Sequence, residues 1–465
     1  MIKLTFDNGT LLCSGEEVPA LVALKPQLFK FDERINGFRS RACDYAGVVS
    51  LARGMEFDLD DQAALFAPVN NLTLQQQLIP RPHQQTAFDA WRAAGYRGVT
   101  ALPTGSGKTI LAVMAIARLK RPALVLVPTI DLLAQWAGVL EKFFNVPIGM
   151  WGGGSNTTCD ITVSTYNSAV LKMEFLGNRF ALLIADECHH LPGPVNQQAA
   201  QWSIAPYRLG LSATPESDAE RDAVLEDLMG KVCCRVQIDE LAEGILADYE
   251  VQTVPLSLTA DEQAKYLFYR KIYTDFLHQH HVVMNSVRAW RNFIMEIVRS
   301  GSAGRKAFEA YLIQKNLARG GESKLNAVWK LLRRHAGERI IIFTADNATA
   351  YTLGRRYFLP VLTHHTKSAE RKNMLENFRT GACMVLVSSK VLNEGVDVPE
   401  ANIGIIVSGG ASVREHVQRL GRILRAKPGK KAILYELVNS GTSEQNVSQR
   451  RREHQAYSSK VSGEY

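Results

Sequence analysis

The sequence lacks the cysteine spacing of a zinc ribbon or a thioredoxin-type redox site, because its seven cysteines form no Cys-x-x-Cys pair. Their odd, scattered arrangement is typical of a reducing compartment. No run reaches the ~18 apolar residues of a membrane helix, and the first residues carry no apolar signal core. We therefore expect a cytoplasmic protein that has no membrane partner.

A large excess of one charge is also missing. The 54 Lys and Arg residues outnumber the 46 Asp and Glu residues by only eight. This excess favours a polyanionic partner weakly, since many globular proteins are mildly basic. The composition is 46% hydrophobic and 22% charged, as in globular domains, and 465 residues predict about three domains at roughly 100–200 residues each.

Short apolar segments alternate with helical patterns in two blocks, for example at 123–127 and 181–185 in the first and at 340–343 and 403–407 in the second. Buried strands separated by helices indicate parallel sheets covered on both faces, an α/β fold. The alternating pattern before the first block predicts short strands, with a turn at 7–9. Between the blocks the chain is helical, basic and aromatic, and an aromatic stripe at helical spacing is usually core.

Five regions follow from these patterns. They are a small mixed α/β N-terminal domain (1–70), a first lobe (71–257), a helical insertion (258–320), a second lobe (321–442) and a basic C-terminal tail (443–465).

The segment 102–109, Leu-Pro-Thr-Gly-Ser-Gly-Lys-Thr, has the pattern of a phosphate-binding loop between a strand and a helix. Backbone N–H groups at the start of the helix would hold the phosphates of ATP. Lys108 would neutralise phosphate charge, and Thr109 would ligate Mg²⁺. The other predicted ATP contacts in the loop are Thr104, Gly105, Ser106 and Gly107.

Two acidic residues, Asp186 and Glu187, directly follow the apolar segment 182–185. Carboxylates at the end of a buried strand fit an ATP site, with Asp186 holding Mg²⁺ and Glu187 orienting and deprotonating the attacking water. A histidine follows at position 189. We expect His189, together with Ser212 and Thr214 of a Ser-Ala-Thr segment, to couple the ATP site to movement of the lobes.

Further downstream, Arg422 and Arg425 are three residues apart and would project to one side of a helix. A surface salt-bridge patch would also explain such a pair. Their position in the second block favours arginine fingers that reach the γ-phosphate across a cleft, beside Gln418. We also predict ATP contacts from Gly395 and Asp397.

Smaller matches complete the order of motifs. Arg81 and Gln84 precede the phosphate loop, and the Gln84 amide could read the adenine edge. Two pairs that end strands, Pro128-Thr129 and Ser164-Thr165, could bind the nucleic-acid backbone through hydroxyl and N–H groups.

Taken in this order, the motifs resemble those of superfamily 2 helicases, and the stretches 176–180, 203–211, 387–399 and 418–425 are similar to the compact, archaeal-type XPB branch. The resemblance implies two RecA-like parallel-sheet lobes, a damage-recognition-like N-terminal domain and a thumb-like helical insertion that grips DNA. It also implies DNA-dependent ATP hydrolysis, 3′–5′ movement and local opening of double-stranded or forked DNA in repair. Archaeal members of the branch pair with a nuclease.

One departure from the family pattern leaves more than one function open. The family carries an Arg-Glu-Asp element after the Ser-Ala-Thr segment, where this chain has Ser217-Asp218-Ala219. Loss of that element favours a translocase that moves on duplex DNA without unwinding it and drives a partner nuclease. The motifs also fit an RNA helicase, or a DNA-binding scaffold with a relic ATP site.

Overall fold

The computed structural model describes residues 1–103, 105–213, 215, 219–236, 248–284, 287–389, 401–408 and 431–445. The chain divides into two compact units, Met1–Glu240 and Leu241–Tyr465. In the described part of the chain, no helix combines the length and apolar character needed to cross a membrane.

The first unit begins with a small sheet of strand order β3-β4-β2-β1-β5, in which β1 and β5 are parallel and the other pairs antiparallel. The predicted turn joins β1 to β2, with Asn8 at φ 46° and Gly9 at φ 75°. A Cβ atom at Gly9 would lie 2.5 Å from the Trp202 ring, so the turn packs closely on the lobe that follows. The elements are β1 (Ile2–Asp7), β2 (Thr10–Ser14), α1 (Val18–Leu24), β3 (Lys30–Asp32), β4 (Gly37–Arg41), α2 (Tyr45–Gly54) and β5 (Leu59–Asp61), with 3₁₀ turns at Pro26–Leu28 and Ala42–Asp44.

The rest of the first unit is built on a second sheet of order β13-β6-β12-β11-β7-β10-β8-β9. Its strand pairs are parallel except β8 with β9. Central strands such as β7 and β11 are buried along their whole length, which explains their continuous apolar sequences. The elements are α3 (Pro82–Ala93), β6 (Arg97–Ala101), α4 (Lys108–Leu119), β7 (Ala123–Val127), α5 (Ile130–Phe143), β8 (Ile148–Gly152), β9 (Ser155–Thr157), β10 (Ile161–Thr165), α6 (Tyr166–Leu176), β11 (Leu182–Asp186), a 3₁₀ turn (Cys188–His190), α7 (Gln197–Gln201), β12 (Tyr207–Ser212), α8 (Ala219–Met229) and β13 (Val232–Arg235).

The second unit contains a parallel sheet of order β14-β19-β18-β15-β17-β16. The helices of this lobe lie between its strands in the sequence. Its elements are β14 (Asp248–Leu256), α12 (Glu322–Arg334), β15 (Ile340–Thr344), α13 (Asn347–Tyr357), β16 (Val361–Leu362), α14 (Ser368–Thr380), β17 (Val385–Ser389), β18 (Ile403–Ile406) and β19 (Lys431–Asn439).

One predicted boundary differs from this arrangement. The sequence pattern predicts the end of the first lobe at residue 257, but β14 (Asp248–Leu256) pairs in parallel with β19 in the second sheet. The chain therefore enters the second sheet before the helical insertion begins.

The helical insertion consists of α9 (Ala260–Gln279), α10 (Val287–Arg299) and α11 (Gly301–Gly320). Its aromatic side chains are buried in two clusters, as the helical spacing predicts. Phe293, fully buried, and Phe276, nearly so, lie in one cluster, and the fully buried Tyr266 packs with Leu258 and Ala318 in the other. The Tyr273 and Phe293 rings meet edge to face at 5.6 Å. Phe268, in contrast, is 62% exposed.

Candidate nucleotide-binding site

Three neighbouring strands bring the predicted ATP residues to one edge of the first lobe. The strands β6, β12 and β11 are adjacent, with Ser212 opposite Ala101 and Asp186 opposite Leu211. The phosphate loop follows β6, Asp186 ends β11 and Ser212 ends β12. Since parallel strands have their carboxyl ends at the same edge, the fold joins residues that lie about a hundred positions apart.

The phosphate loop ends at Gly107, which caps α4 with φ 84°. A Cβ atom at this position would lie 2.4 Å from Nε2 of Gln84, so only glycine fits the conformation and the space. Ser106 is fully buried and its hydroxyl donates to the Pro103 carbonyl at 2.7 Å. The N–H groups at the start of a twelve-residue helix, with Lys108 as its first residue, suit the phosphates of ATP.

Gln84 holds the phosphate loop from the side. Its Nε2 donates to the Ser106 carbonyl at 2.8 Å, and its Oε1 accepts from the N–H of Arg81 at 2.9 Å. His83 contacts the same Ser106 carbonyl through Nε2 at 2.8 Å, a contact that the sequence did not predict. Both ends of the Gln84 amide are thus bonded to backbone, and reading an adenine edge stays a prediction.

Lys108 and Glu187 form a nearly buried ion pair, with Nζ donating to Oε1 at 2.9 Å. Burial lowers the pKa of Lys108, but the negative charges of Glu187 and Asp186 outweigh burial and raise it overall, so the lysine stays charged. Glu187 has φ 47°, in the left-handed region that a residue with a side chain rarely adopts. Such strain is typical of functional sites. Here the strained residue is the one whose carboxylate contacts Lys108 of the phosphate loop.

Asp186 is held by three groups, from α5, from α6 and from the residue that follows it. Its Oδ2 accepts from the indole of Trp136 at 2.8 Å, and its Oδ1 accepts from the N–H of Glu187 at 3.0 Å. The Tyr166 hydroxyl donates to its backbone carbonyl at 2.9 Å. Burial, with the adjacent Glu187 charge, raises the pKa of Asp186. A divalent cation would favour the ionised form, so a carboxylate fixed in this way suits Mg²⁺, which prefers oxygen ligands.

His189 lies between the acidic residues and the end of β12. Its Nδ1 is 3.2 Å from the Ser212 hydroxyl and 3.5 Å from Oε2 of Glu187. The ring is buried and lies 4.3 Å from that of His190. The structure therefore brings together two of the three predicted coupling residues.

The predicted nucleic-acid contacts lie at the ends of the paired strands β7 and β10. The Thr129 hydroxyl caps α5 by accepting from the N–H of Leu132, and the Thr165 hydroxyl caps α6 by accepting from the N–H of Ser168. Pro128 is partly exposed. Ser164 is fully buried and its hydroxyl donates to the Thr165 carbonyl at 2.9 Å, so a contact of this hydroxyl with nucleic acid stays a prediction.

Several predicted site residues lie outside the described residues: Thr104, Thr214, Gly395, Asp397, Gln418, Arg422 and Arg425, together with 216–218 of the altered element.

A polar cluster at the carboxyl edge of the second sheet was not predicted from the sequence. The Ser389 hydroxyl donates to Oδ1 of Asn347 at 2.5 Å, and Nδ2 of Asn347 is 3.3 Å from Nδ1 of His364. Ser389 is the last residue of β17, and Asn347 and His364 lie in the segments that follow β15 and β16. Polar residues at or soon after the ends of three apolar strands were the signal that could have identified them.

Comparison with known families gives three matches along the chain. Residues 4–63 match the Xeroderma pigmentosum group B helicase damage recognition domain, residues 77–217 the res subunit of type III restriction enzymes, and residues 310–464 the ERCC3/RAD25/XPB C-terminal helicase.

The chain is similar to two curated relatives, and it covers different shares of their lengths. The DNA 3′-5′ translocase XPB2 of Sulfurisphaera tokodaii is 35% identical over 453 residues, 97% of this chain and 100% of the relative. The DNA 3′-5′ helicase XPB of Mycobacterium tuberculosis is 29% identical over 77% of this chain and 60% of the relative.

Two solved structures share the fold. The Hef helicase domain of Pyrococcus furiosus has a TM-score of 0.54 at 19% identity and covers 82% of this chain and 100% of its own. The Dbp5 protein of S. cerevisiae, bound to RNA and ADP BeF3, has a TM-score of 0.55 at 16% identity, with 82% and 88% covered. These likenesses confirm the predicted α/β fold with two RecA-like lobes.

Proposed function

The chain belongs to the XPB family of superfamily 2 DNA helicases, and we propose that it couples ATP hydrolysis to 3′–5′ movement along DNA, with local opening of the duplex. The relatives named as 3′-5′ translocases and helicases support this activity. The match of residues 4–63 to a damage recognition domain supports a role in DNA repair, and a cytoplasmic location is part of the proposal.

The observation that carries the ATPase proposal is the contact between Lys108 and Glu187 at 2.9 Å. Because the two side chains meet near the ends of β6 and β11, the contact supports a phosphate-binding role for Lys108 and a general-base role for Glu187 in one small site. When ATP is bound, Lys108 neutralises charge on its phosphates and Glu187 takes a proton from the attacking water. Thr109 and Asp186 would hold Mg²⁺, which would supply further positive charge to the phosphates.

Residues of the second lobe complete the proposed chemistry. Arg422 and Arg425 would stabilise the negative charge that develops on the transferred phosphoryl group, and Gln418 would orient the water. Gly395 and Asp397 would contact ATP. The support for these roles is their order in the sequence and the family match over residues 310–464.

The test is ATP hydrolysis by the purified chain with duplex DNA, forked DNA, single-stranded DNA or RNA. We expect stimulation by DNA, and displacement of oligonucleotides only in the 3′–5′ direction. Stimulation by RNA alone would identify an RNA helicase, and DNA binding without hydrolysis would identify a scaffold. Either result would overturn the proposal.

A second candidate function is movement on duplex DNA without strand separation, which would drive a partner nuclease. Two observations favour it: the Sulfurisphaera relative is named a translocase, and Ser217-Asp218-Ala219 replaces the family's Arg-Glu-Asp element. Displacement of a triplex-forming strand, measured beside displacement of a duplex strand, separates the two. Triplex displacement without duplex displacement would establish movement along duplex DNA without strand separation.

A further inference from the structure

Phe358, the residue that follows α13, has a backbone conformation and a solvent exposure that are both unfavourable for phenylalanine. It has φ 55° and ψ 43°, a left-handed helix end that glycine adopts most easily. Its ring is also 94% exposed, so it gains almost nothing from burial. A bulky apolar residue that is unfavourable both for the backbone and for the solvent points to a role outside the fold.

The surface beside Phe358 is rigid. Trp329 on α12 is 47% exposed and stacks on Tyr357, with ring centroids 5.3 Å apart and planes within 13°. The Tyr357 hydroxyl donates to the Leu325 carbonyl at 2.8 Å, and Arg356 binds Glu322 with both terminal nitrogens, at 2.8 and 2.5 Å. These contacts fix the end of α13 against α12 before any partner binds.

The same surface carries unpaired positive charge. Arg333 lies one helical turn beyond Trp329 on α12, and Arg355 lies three residues before Phe358 on α13, so helical spacing puts each arginine beside one of the exposed rings. Lys330, next to Trp329 in the sequence, is also exposed. In the part of the chain that the structure describes, none of these three cations forms an ion pair with a carboxylate. We call the surface formed by Trp329, Arg333, Arg355, Tyr357 and Phe358 the aromatic platform.

The position of the aromatic platform argues against nucleic acid as its ligand. Helix α13 begins after the carboxyl end of β15 and ends before β16 starts, so Phe358 lies towards the edge where the parallel strands begin. The polar cluster of Asn347 and Ser389 lies at the opposite, carboxyl edge. Ligands of open parallel sheets bind at carboxyl edges.

Tryptophan, tyrosine and arginine are the residues that contribute most to protein–protein affinity. We propose that the aromatic platform is a docking surface for a partner protein that presents an acidic segment with apolar anchors. The anchors cover Phe358 and Trp329, and the carboxylates meet Arg333 and Arg355. This docking is separate from ATP hydrolysis, so the basal ATPase is independent of it.

The probe is a fluorescent synthetic helix of about 20 residues, with leucine at every third or fourth position and glutamate between, measured by anisotropy against the full chain. A peptide with lysine in place of glutamate is the charge control. The decisive variant is Phe358→Gly, which relieves the left-handed strain. Lys120→Gly is its matched control, because Lys120 ends α4 in the same left-handed conformation, with φ 49° and ψ 45°.

We expect the acidic peptide to bind the wild type, and Phe358→Gly to weaken binding about 30-fold or more while the Tm stays at or above the wild-type value. Lys120→Gly binds as the wild type. The double variant Arg333→Glu, Arg355→Glu should reject the acidic peptide and accept the lysine peptide.

Three results overturn the proposal. One is acidic-peptide binding that is absent in the wild type or unchanged in Phe358→Gly. The second is a loss of duplex DNA affinity in Phe358→Gly, which would make the surface a DNA contact. The third is concentration-dependent self-association that this variant abolishes, which would make it an interface between copies of the chain.

Discussion

The Nζ atom of Lys108 lies 2.9 Å from Oε1 of Glu187, so the residue predicted to bind phosphate and the residue predicted to activate water contact each other directly. The two should nevertheless respond differently to substitution. Glu187→Gln removes the base but keeps a similar shape, so we expect ATP binding to persist while hydrolysis falls about 10²–10⁴-fold. Lys108→Ala should lose nucleotide binding as well.

Both variants should keep most of their affinity for duplex DNA, since neither residue lies among the predicted DNA contacts. Fluorescent-nucleotide binding, DNA-stimulated ATPase and DNA anisotropy, measured on each variant, check this. Hydrolysis that DNA still stimulates in either variant would refute the assignment.

The contact between His189 and the Ser212 hydroxyl at 3.2 Å predicts a separation of hydrolysis from movement. In His189→Ala we expect a small change in ATPase and a loss of strand or triplex displacement of about 5–150-fold, the range of an ordinary coupling free energy. His190→Ala is the neighbouring control, and it should affect displacement much less. Equal losses of ATPase and displacement in His189→Ala would show that the residue acts in hydrolysis itself.

Gln84→Ala should weaken nucleotide binding about fivefold, because one hydrogen bond to the Ser106 carbonyl is lost from the phosphate loop. Gln85→Ala on the exposed side of α3 is the control. ATP and GTP affinities distinguish the two roles of Gln84. A loss shared by both nucleotides indicates support of the loop, and a loss confined to ATP indicates that the amide reads adenine.

The N-terminal domain is joined to α8 by a bidentate contact from Arg41 to Asp227, with oxygen–nitrogen distances of 2.7 and 3.0 Å. The Arg41 guanidinium holds the pKa of Asp227 below its usual value. Because the folded-state pKa is lowered, the contact stabilises the fold above the ordinary aspartate pKa of about 3.9 and is lost as the pH falls below it.

We therefore expect Asp227→Asn to lower the free energy of unfolding at pH 7 by about 1 kcal/mol or less, since both side chains are half exposed. The difference from the wild type should shrink as the pH falls through 4. Urea unfolding across this pH range measures it, with Glu220→Gln on the same helix as the control. A difference that grows on acidification would contradict the assigned sign.

Elements that depend on local pattern could be predicted from the sequence, and those that depend on distant pairing could not. The strand at 123–127 was predicted at the bounds that the structure has, because an isolated apolar run between turns has few other interpretations. In contrast, β14 contains Pro255 and alternating polar residues, and its place in the second sheet is set by β19, far along the chain. No local pattern carries that information.

The residues of the candidate site also fall into two groups, those that the sequence predicts and those that it does not. Motif residues such as Lys108 and Asp186 are recognisable because the chemistry fixes their type and spacing. Trp136 lies inside α5 and Tyr166 is the first residue of α6, and the sequence did not predict that either residue holds Asp186. Their roles appear only when β7, β10 and β11 are assembled side by side.

The helical insertion is anchored to one sheet at both ends. The strand before it, β14, forms nine residue pairs with β19, and α12 of the same lobe begins two residues after α11 ends. Further ties cross its base: the N–H of Ser443 donates to the Tyr266 hydroxyl at 3.0 Å, and Nδ2 of Asn439 donates to the Ala318 carbonyl at 2.8 Å. A pulling force that bound DNA applies to the insertion would therefore act on the β14–β19 strand pair as shear along its length. It would not separate the two strands from one end. We therefore expect the insertion to move with the second lobe as one rigid unit and not to rotate about a hinge.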